Sequence, residues 1–178
     1  MEHTIQQFDS AIDTCRSLYI KKLKDYGPAW RLMRPESVTD QILIKAKRIR
    51  SLETNKVALV NEGILPEFIG IVNYGIIGLI QLDLGVSDEK DISVERAIEL
   101  YDGFMAATRK LMIAKNHDYE EAWRVMRVSS YTDLILMKLM RTKEIEDNHG
   151  STLVSEGVDA NYMDMVNYAI FGIIKLTE

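Results

Sequence analysis

A chain of 178 residues with a formal net charge of −5 has room for one medium domain or two small ones and can bury a sizeable core. Its 47% hydrophobic and 28% charged residues exclude a disordered or low-complexity chain, and the acidic balance argues against a nucleic-acid groove formed by bulk charge. The single cysteine, Cys15, excludes an internal disulfide, and Glu2, His3, Gln6 and Gln7 interrupt any apolar run that could read as a signal peptide, so a reducing cytoplasm is the expected setting.

Taken in order, Ile5, Phe8, Ile12, Cys15, Tyr19 and Leu23 recur at three- and four-residue steps and predict a first amphipathic helix. Asp25-Tyr26-Gly27 breaks it, and Pro28 suits the first position of a short helix carrying Trp30. Ser37 or Thr39 can cap the next helix, whose Ile42, Ala46, Ile49 and Leu52 form one face. Glu62-Gly63 closes a loop before an apolar helix over 64–82. That segment approaches bilayer-spanning length, roughly 20 residues. Pro66, Glu67, Asn73 and Gln81 interrupt it and no basic flank marks a cytoplasmic side, so the expectation is a helix buried by its neighbours and no membrane partner. The stretch DLGVSDEKD at 83–91 is a short charged connection, and Ser93 is placed to cap a helix over 93–115. A second apolar helix covers 160–176, and no alternating strand pattern occurs, which predicts an all-α protein.

The chain repeats itself. LKDYGPAWRLMR at 23–34 returns as NHDYEEAWRVMR at 116–127, 93 positions later. At the same offset Phe8-Asp9 matches Tyr101-Asp102, Thr39-Asp40 matches Thr132-Asp133, Lys45 and Arg48 match Lys138 and Arg141, and Glu53 and Asn55 match Glu146 and Asn148. One inserted residue then makes the offset 94, pairing Glu62-Gly63 with Glu156-Gly157 and Asn73-Tyr74 with Asn167-Tyr168. The units run over about 8–78 and 101–172, joined through 83–92. Neither apolar helix can be covered by its own unit, so each is expected to bury itself on its counterpart. The result is a single fused domain over 1–178 with internal pseudo-two-fold symmetry, a duplicated helical unit resembling a dimer tied into one chain.

Common reaction signatures are missing: there is no glycine-rich phosphate loop, GxSxG, HExxH or cysteine pair. Acid–base work falls to Asp118 and to Asp133 near a helix start; His117, which precedes Asp118, could take part in it, although a solvent-facing loop histidine is its plainer reading. Lys138 and Arg141 share a helical face, as do Arg124 and Arg127, and guanidinium forks match phosphate oxygens two at a time. The plain alternative is a solvated surface of ion pairs. Trp30 and Trp123 read either as core anchors or as base-stacking platforms.

The acids differ between the units. The second carries Glu144-x-x-Asp147, Glu156-x-x-Asp159 and Asp164-x-x-Asn167, where the first has Thr54, Leu65 and Gly70 in place of the three aspartates. A spacing of three puts oxygen ligands on one helical face, as a magnesium ion needs. The expected metal set is Glu146, Glu156, Asp159 and Asp164, with the first unit as scaffold. Asp164 and Asn167 sit on an apolar helix and must be hydrogen-bonded, paired or occupied by an ion. Alternatively, Asn73 and Asn167 bond each other across the pseudo-two-fold axis and fix register. Asn161 and Asn167 complete the substrate-binding candidates with Trp123, Arg124, Arg127, Lys138 and Arg141.

The strings HDYEEAWRVMR, SSYTDLILMKLMRTKEIEDN and SEGVDANYMDMVNYAIF resemble the nucleotide-modification-associated domain family, over nearly the whole chain. That resemblance implies a link to nucleotide or DNA-base modification. A fainter likeness is to the all-α MazG-like nucleoside triphosphate pyrophosphatases. It implies magnesium on Glu156, Asp159 and Asp164, with Lys138 and Arg141 on a nucleotide's phosphates. Three readings follow: a magnesium-dependent binder or pyrophosphohydrolase of nucleoside triphosphates, a non-catalytic helical module partnering a nucleotide-modifying enzyme, and a nucleic-acid binder whose affinity falls steeply with salt. Homo-oligomerisation is left open.

Overall fold

A computed structural model describes residues 1–55 and 63–178. Glu62 of the predicted loop lies outside the described residues. Among the described residues six α-helices carry the fold: α1 Glu2–Tyr26, α2 Pro35–Asn55, α3 Leu65–Leu84, α4 Val94–Tyr119, α5 Val128–Asp147 and α6 Val158–Thr177. Short 3-10 turns at Ala29–Leu32 and Ala122–Val125 carry the two tryptophans. Among the described residues there is no strand.

The local signals act where the chain puts them, with two corrections. Ser93 caps α4, its Oγ accepting from the Arg96 amide at 3.0 Å. Helix α4 runs on to Tyr119, past the expected end at 115. Helix α2 begins at Pro35, ahead of the predicted caps, because a proline in the first turn forfeits no hydrogen bond there. Thr39 is buried inside that helix, and its hydroxyl meets the Pro35 carbonyl at 3.3 Å and Glu146 Oε2 at 2.9 Å.

The two units close on each other reciprocally. Arg16 meets Asp102 at 2.7 Å, and its counterpart Arg109 meets Asp9 at 2.6 Å. Lys143 meets Asp40 at 2.8 Å, and Arg50, which corresponds to Lys143, meets Asp133 at 2.5 Å. Exposed pairs of this kind contribute only about 0–1 kcal/mol each. Their importance is that residue i of one unit meets j of the other while j meets i, the signature of an isologous interface. Helices α3 and α6 form the central seam. The Tyr162 ring rests on Gly78, where an added Cβ would lie 2.8 Å from it, and the Phe68 ring rests on Gly172 at 3.0 Å. Helix α3 is long and apolar enough to cross a membrane, and 61% of its apolar window is buried within the protein.

The two buried asparagines do not bond each other. Asn73 Nδ2 donates to the Cys15 carbonyl at 3.0 Å, and its Oδ1 accepts from Tyr101 Oη at 2.8 Å. Asn167 Nδ2 donates to the equivalent carbonyl of Thr108 at 3.3 Å, but its Oδ1 is buried without a partner among the described residues. The reason lies in the repeat, because the counterpart of Tyr101 is Phe8, which has no hydroxyl. Phe8→Tyr should therefore supply the missing donor and raise stability by about 1 kcal/mol, the worth of one satisfied buried hydrogen bond. Thermal denaturation reads this as a higher Tm; an unchanged or lower Tm would show that the hydroxyl does not reach Asn167.

Both tryptophan turns are tied to the last turns of the central helices. Gln81 Nε2 donates to the carbonyls of Trp30, Arg31 and Met33 at 3.1, 3.0 and 2.6 Å. Its counterpart Lys175 donates to the Arg124 carbonyl at 2.8 Å. Cys15 is a plain core residue, fully buried, and burial pushes its thiol up to about 12.

Candidate functional site

The predicted site residues are spread over several places. Lys138, Arg141 and Ile145 on α5, with Asn148 as its C-cap, recur at three- and four-residue steps and form one wall of an open cavity of about 930 Å³. Helix α5 stops because His149 and Gly150 take left-handed backbone (φ 55° and 83°), and the Gly150 amide closes on the Ile145 carbonyl at 2.8 Å. The chain then folds back along the cavity as a loop pinned by Asn148 Nδ2 to the Ser151 carbonyl at 3.0 Å and Thr152 Oγ1 to the Ser155 carbonyl at 2.7 Å. Asn161, whose Nδ2 donates to the Gly157 carbonyl at 2.8 Å, adds a wall from α6, and Glu156 lines the rim. Four predicted residues thus meet: Lys138, Arg141, Asn161 and Glu156. Glu144 and Asp147 line the same cavity. Arg141 is exposed and makes no ion pair among the described residues.

Asp164 is 4% exposed and is held by two ammonium groups, Lys115 Nζ at 2.6 Å and Lys138 Nζ at 2.9 Å. Burial alone would lower the Lys115 ammonium, but the hydrogen bond and charge of Asp164 outweigh it and hold that ammonium above the ordinary lysine range. In the first unit the carboxylate comes from the preceding turn of α3: Glu67 meets Arg48 at 2.8 Å and Lys45 at 3.7 Å. Neutralised in this way, Asp164 serves as an internal counterion.

The other metal candidates point elsewhere. Asp159 is exposed and lines a different recess with Met163 and Leu79. Glu146 accepts from Thr39 across the α2–α5 seam. Among the described residues no three of His, Cys, Asp and Glu come together so as to hold a metal ion. The residues present do not fit a magnesium cage held by protein groups alone.

Burial raises the Glu146 carboxyl, with the Thr39 hydrogen bond opposing the shift, and Glu53 is raised in the same way opposite Thr132. A carboxyl raised on folding binds its proton more tightly in the native state. Its favourable contribution is therefore complete below the unfolded value, near 4.5, and is lost as pH rises through the higher folded value. Glu146→Gln should accordingly raise the Tm at pH 7 and leave it unchanged near pH 4. Equal shifts at both pH values would remove ionisation as the cause.

The remaining candidates have structural partners. Trp123 is buried at 4% exposure and stacks on Phe171 with centroids 4.4 Å apart and planes at 6°, which makes it a packing residue. Arg124 lies over the Trp123 ring at 4.5 Å and donates to Thr4 Oγ1 at 2.6 Å and Gln7 Oε1 at 2.8 Å. Arg127 is exposed at the start of α5, away from the cavity. Asn167 is buried against α4. Asp118 stands on the surface 3.2 Å from His117, and Asp133 pairs with Arg50, so neither adjoins Lys138 or Arg141.

Sequence reasoning missed Lys115, Asn148, Ser151, Leu153 and Val154. Two signals could have found Lys115, Leu153 and Val154. Lys22 and Lys115 stand 93 apart, and Leu153-Val154-x-Glu156-Gly157 repeats Leu59-Val60-x-Glu62-Gly63.

The model of the family described as nucleotide modification associated domain 1 matches residues 22–82 and 115–176, one segment in each unit and well over half of the chain. No curated protein and no solved structure matches the chain.

Proposed function

The chain belongs to the nucleotide modification associated domain 1 family, and from that premise we propose that it binds a nucleotide in the cavity between α5, the 151–156 loop and α6. One observation carries the reading: Lys138 and Arg141 stand on one wall of a cavity of about 930 Å³, with Arg141 lacking an ion partner among the described residues. Ligand cavities run from roughly 300 to 1,000 Å³, so a nucleotide fits. Arg141 takes a phosphate with its guanidinium fork, and Lys138, still bound to Asp164, adds positive potential behind it. Asn148, Ser151 and Asn161 provide the polar contacts a base or sugar requires. No hydrolytic step is assigned, because the carboxylates do not converge on a cation.

Calorimetric titration with nucleoside mono-, di- and triphosphates, with and without magnesium, tests this reading. Saturable binding is expected, with Arg141→Ala about tenfold weaker or more, the worth of one charge-assisted hydrogen bond, and with no loss of Tm because Arg141 is exposed. Absence of saturable binding by every nucleotide would end it. The interaction-module reading would then lead, and it has an observation of its own. Leu153 and Val154, on the cavity rim, are 101% and 98% exposed, which is where a partner protein would find apolar purchase.

A further inference from the structure

The two units fill one equivalent place differently. In the C-terminal unit Phe171 covers Trp123 in a stacked arrangement, and Asp164 meets Lys138 at 2.9 Å. The counterparts of Phe171 and Asp164 are Ile77 and Gly70, so the N-terminal unit has neither the ring nor the carboxylate at those positions. A cavity of about 490 Å³ stands there, lined by Tyr19, Lys22, Trp30, Lys45, Tyr74 and Ile77. Lys45 lies across Gly70, where an added Cβ would come within 2.7 Å of its Cε. Its ammonium is 5.7 Å from the centre of the Tyr74 ring and 3.7 Å from Glu67, a looser pairing than either lysine makes with Asp164. Glu67 is held more closely by Arg48, at 2.8 Å. Lys22 is exposed with no ion partner among the described residues.

We propose that this cavity is a second binding site, one that takes a planar aromatic group bearing an anion. The ring would supply beside Trp30 what Phe171 supplies beside Trp123, and the anion would supply to Lys22, and to Lys45 beyond its looser pairing with Glu67 on the same cavity wall, what Asp164 supplies to Lys115 and Lys138. Aromatic walls with ammonium groups at one end match such a ligand in both parts. Phosphate and carboxylate share this anionic chemistry. The site shares no lining residue with the α5–α6 cavity, so it stands or falls independently of the nucleotide reading.

The experiment titrates the full chain with 2-naphthyl phosphate and with 2-naphthoate, with naphthalene-2-methanol as the uncharged control. Saturable binding of at least one anion is expected, tighter than that of the alcohol, and the preferred anion names the headgroup. Ile77→Phe and Gly70→Asp each install the residue that the other unit already accommodates, and each should weaken binding by about tenfold or more. At Gly70 the new side chain meets the far end of a flexible lysine, which can move aside. Lys22→Gln, on the surface, should weaken the anions and spare the alcohol, which keeps the test decisive should either core variant fold poorly. Arg141→Ala should leave binding unchanged, separating this site from the other cavity. No saturable binding of either anion, an alcohol that binds as tightly as they do, or anion affinity indifferent to all three N-terminal variants would overturn the proposal.

Discussion

Replacing Arg31 by alanine should destabilise the protein by about 2–3 kcal/mol, the cost of leaving buried acceptors without their donor. Its side chain is 3% exposed, and its guanidinium donates to the Gly85 carbonyl at 2.6 Å, to the Gln81 side-chain carbonyl and to both oxygens of Asp91 at 2.8 and 3.2 Å. The Arg31 hydrogen bond is the main cause holding the Asp91 carboxyl below the usual range. Asp91 is half exposed and can return to water, whereas Gln81 is fully buried and cannot. Gln81 also braces the tryptophan turn by three carbonyls, so the loss should spread to Trp30. Arg31→Lys should recover only part of it, because one ammonium cannot span a fork of four acceptors. Chemical denaturation measures both variants. A loss below about 1 kcal/mol for the alanine variant would show that the charge was no net anchor.

Asp164→Ala should cost about 2–3 kcal/mol by leaving the largely buried Lys138 ammonium without its carboxylate. The figure is kept below the full buried-pair range because Lys115 is 44% exposed and regains water, whereas Lys138 is only 11% exposed. The N-terminal unit indicates the rescue. Its carboxylate comes from Glu67, whose counterpart is Asn161, one turn earlier on the same face. Adding Asn161→Glu to Asp164→Ala should therefore restore much of the lost stability by offering Lys138 a carboxylate from the other turn. The cycle of single and double variants reads the coupling directly. Strictly additive effects would mean that the two positions do not serve the same ammonium.

The architecture was legible in the sequence because duplication and apolar period are carried by many residues at once. The pairing of 64–82 with its counterpart followed from two helices too apolar to remain single, and α3 and α6 are that seam. The site was legible only in part. Lys138, Arg141, Asn161 and Glu156 share a cavity because α5 and the start of α6 bring them there, which spacing of three along α5 already implied for the first two. Spacing could not say which charges neutralise each other. Asp164 is three residues from Asn167 along α6, but the residues that claim it, Lys115 and Lys138, lie on α4 and α5. Trp123 and Asp133 were misleading because a repeated residue can serve packing or pairing alone: Trp123 stacks on Phe171 of its own unit, and Asp133 meets Arg50 of the other.

The reciprocal pairing of Arg16 with Asp102 and Arg109 with Asp9 has a thermodynamic consequence. A true dimer built on this interface would dissociate on dilution, its population of paired subunits governed by abundance. Here the short tether fixes the effective concentration of one half around the other, and closing even a long loop adds entropy only logarithmically with length. Melting should then be independent of how much protein is present, and each half is free to diverge in its polar residues while the shared seam holds them together.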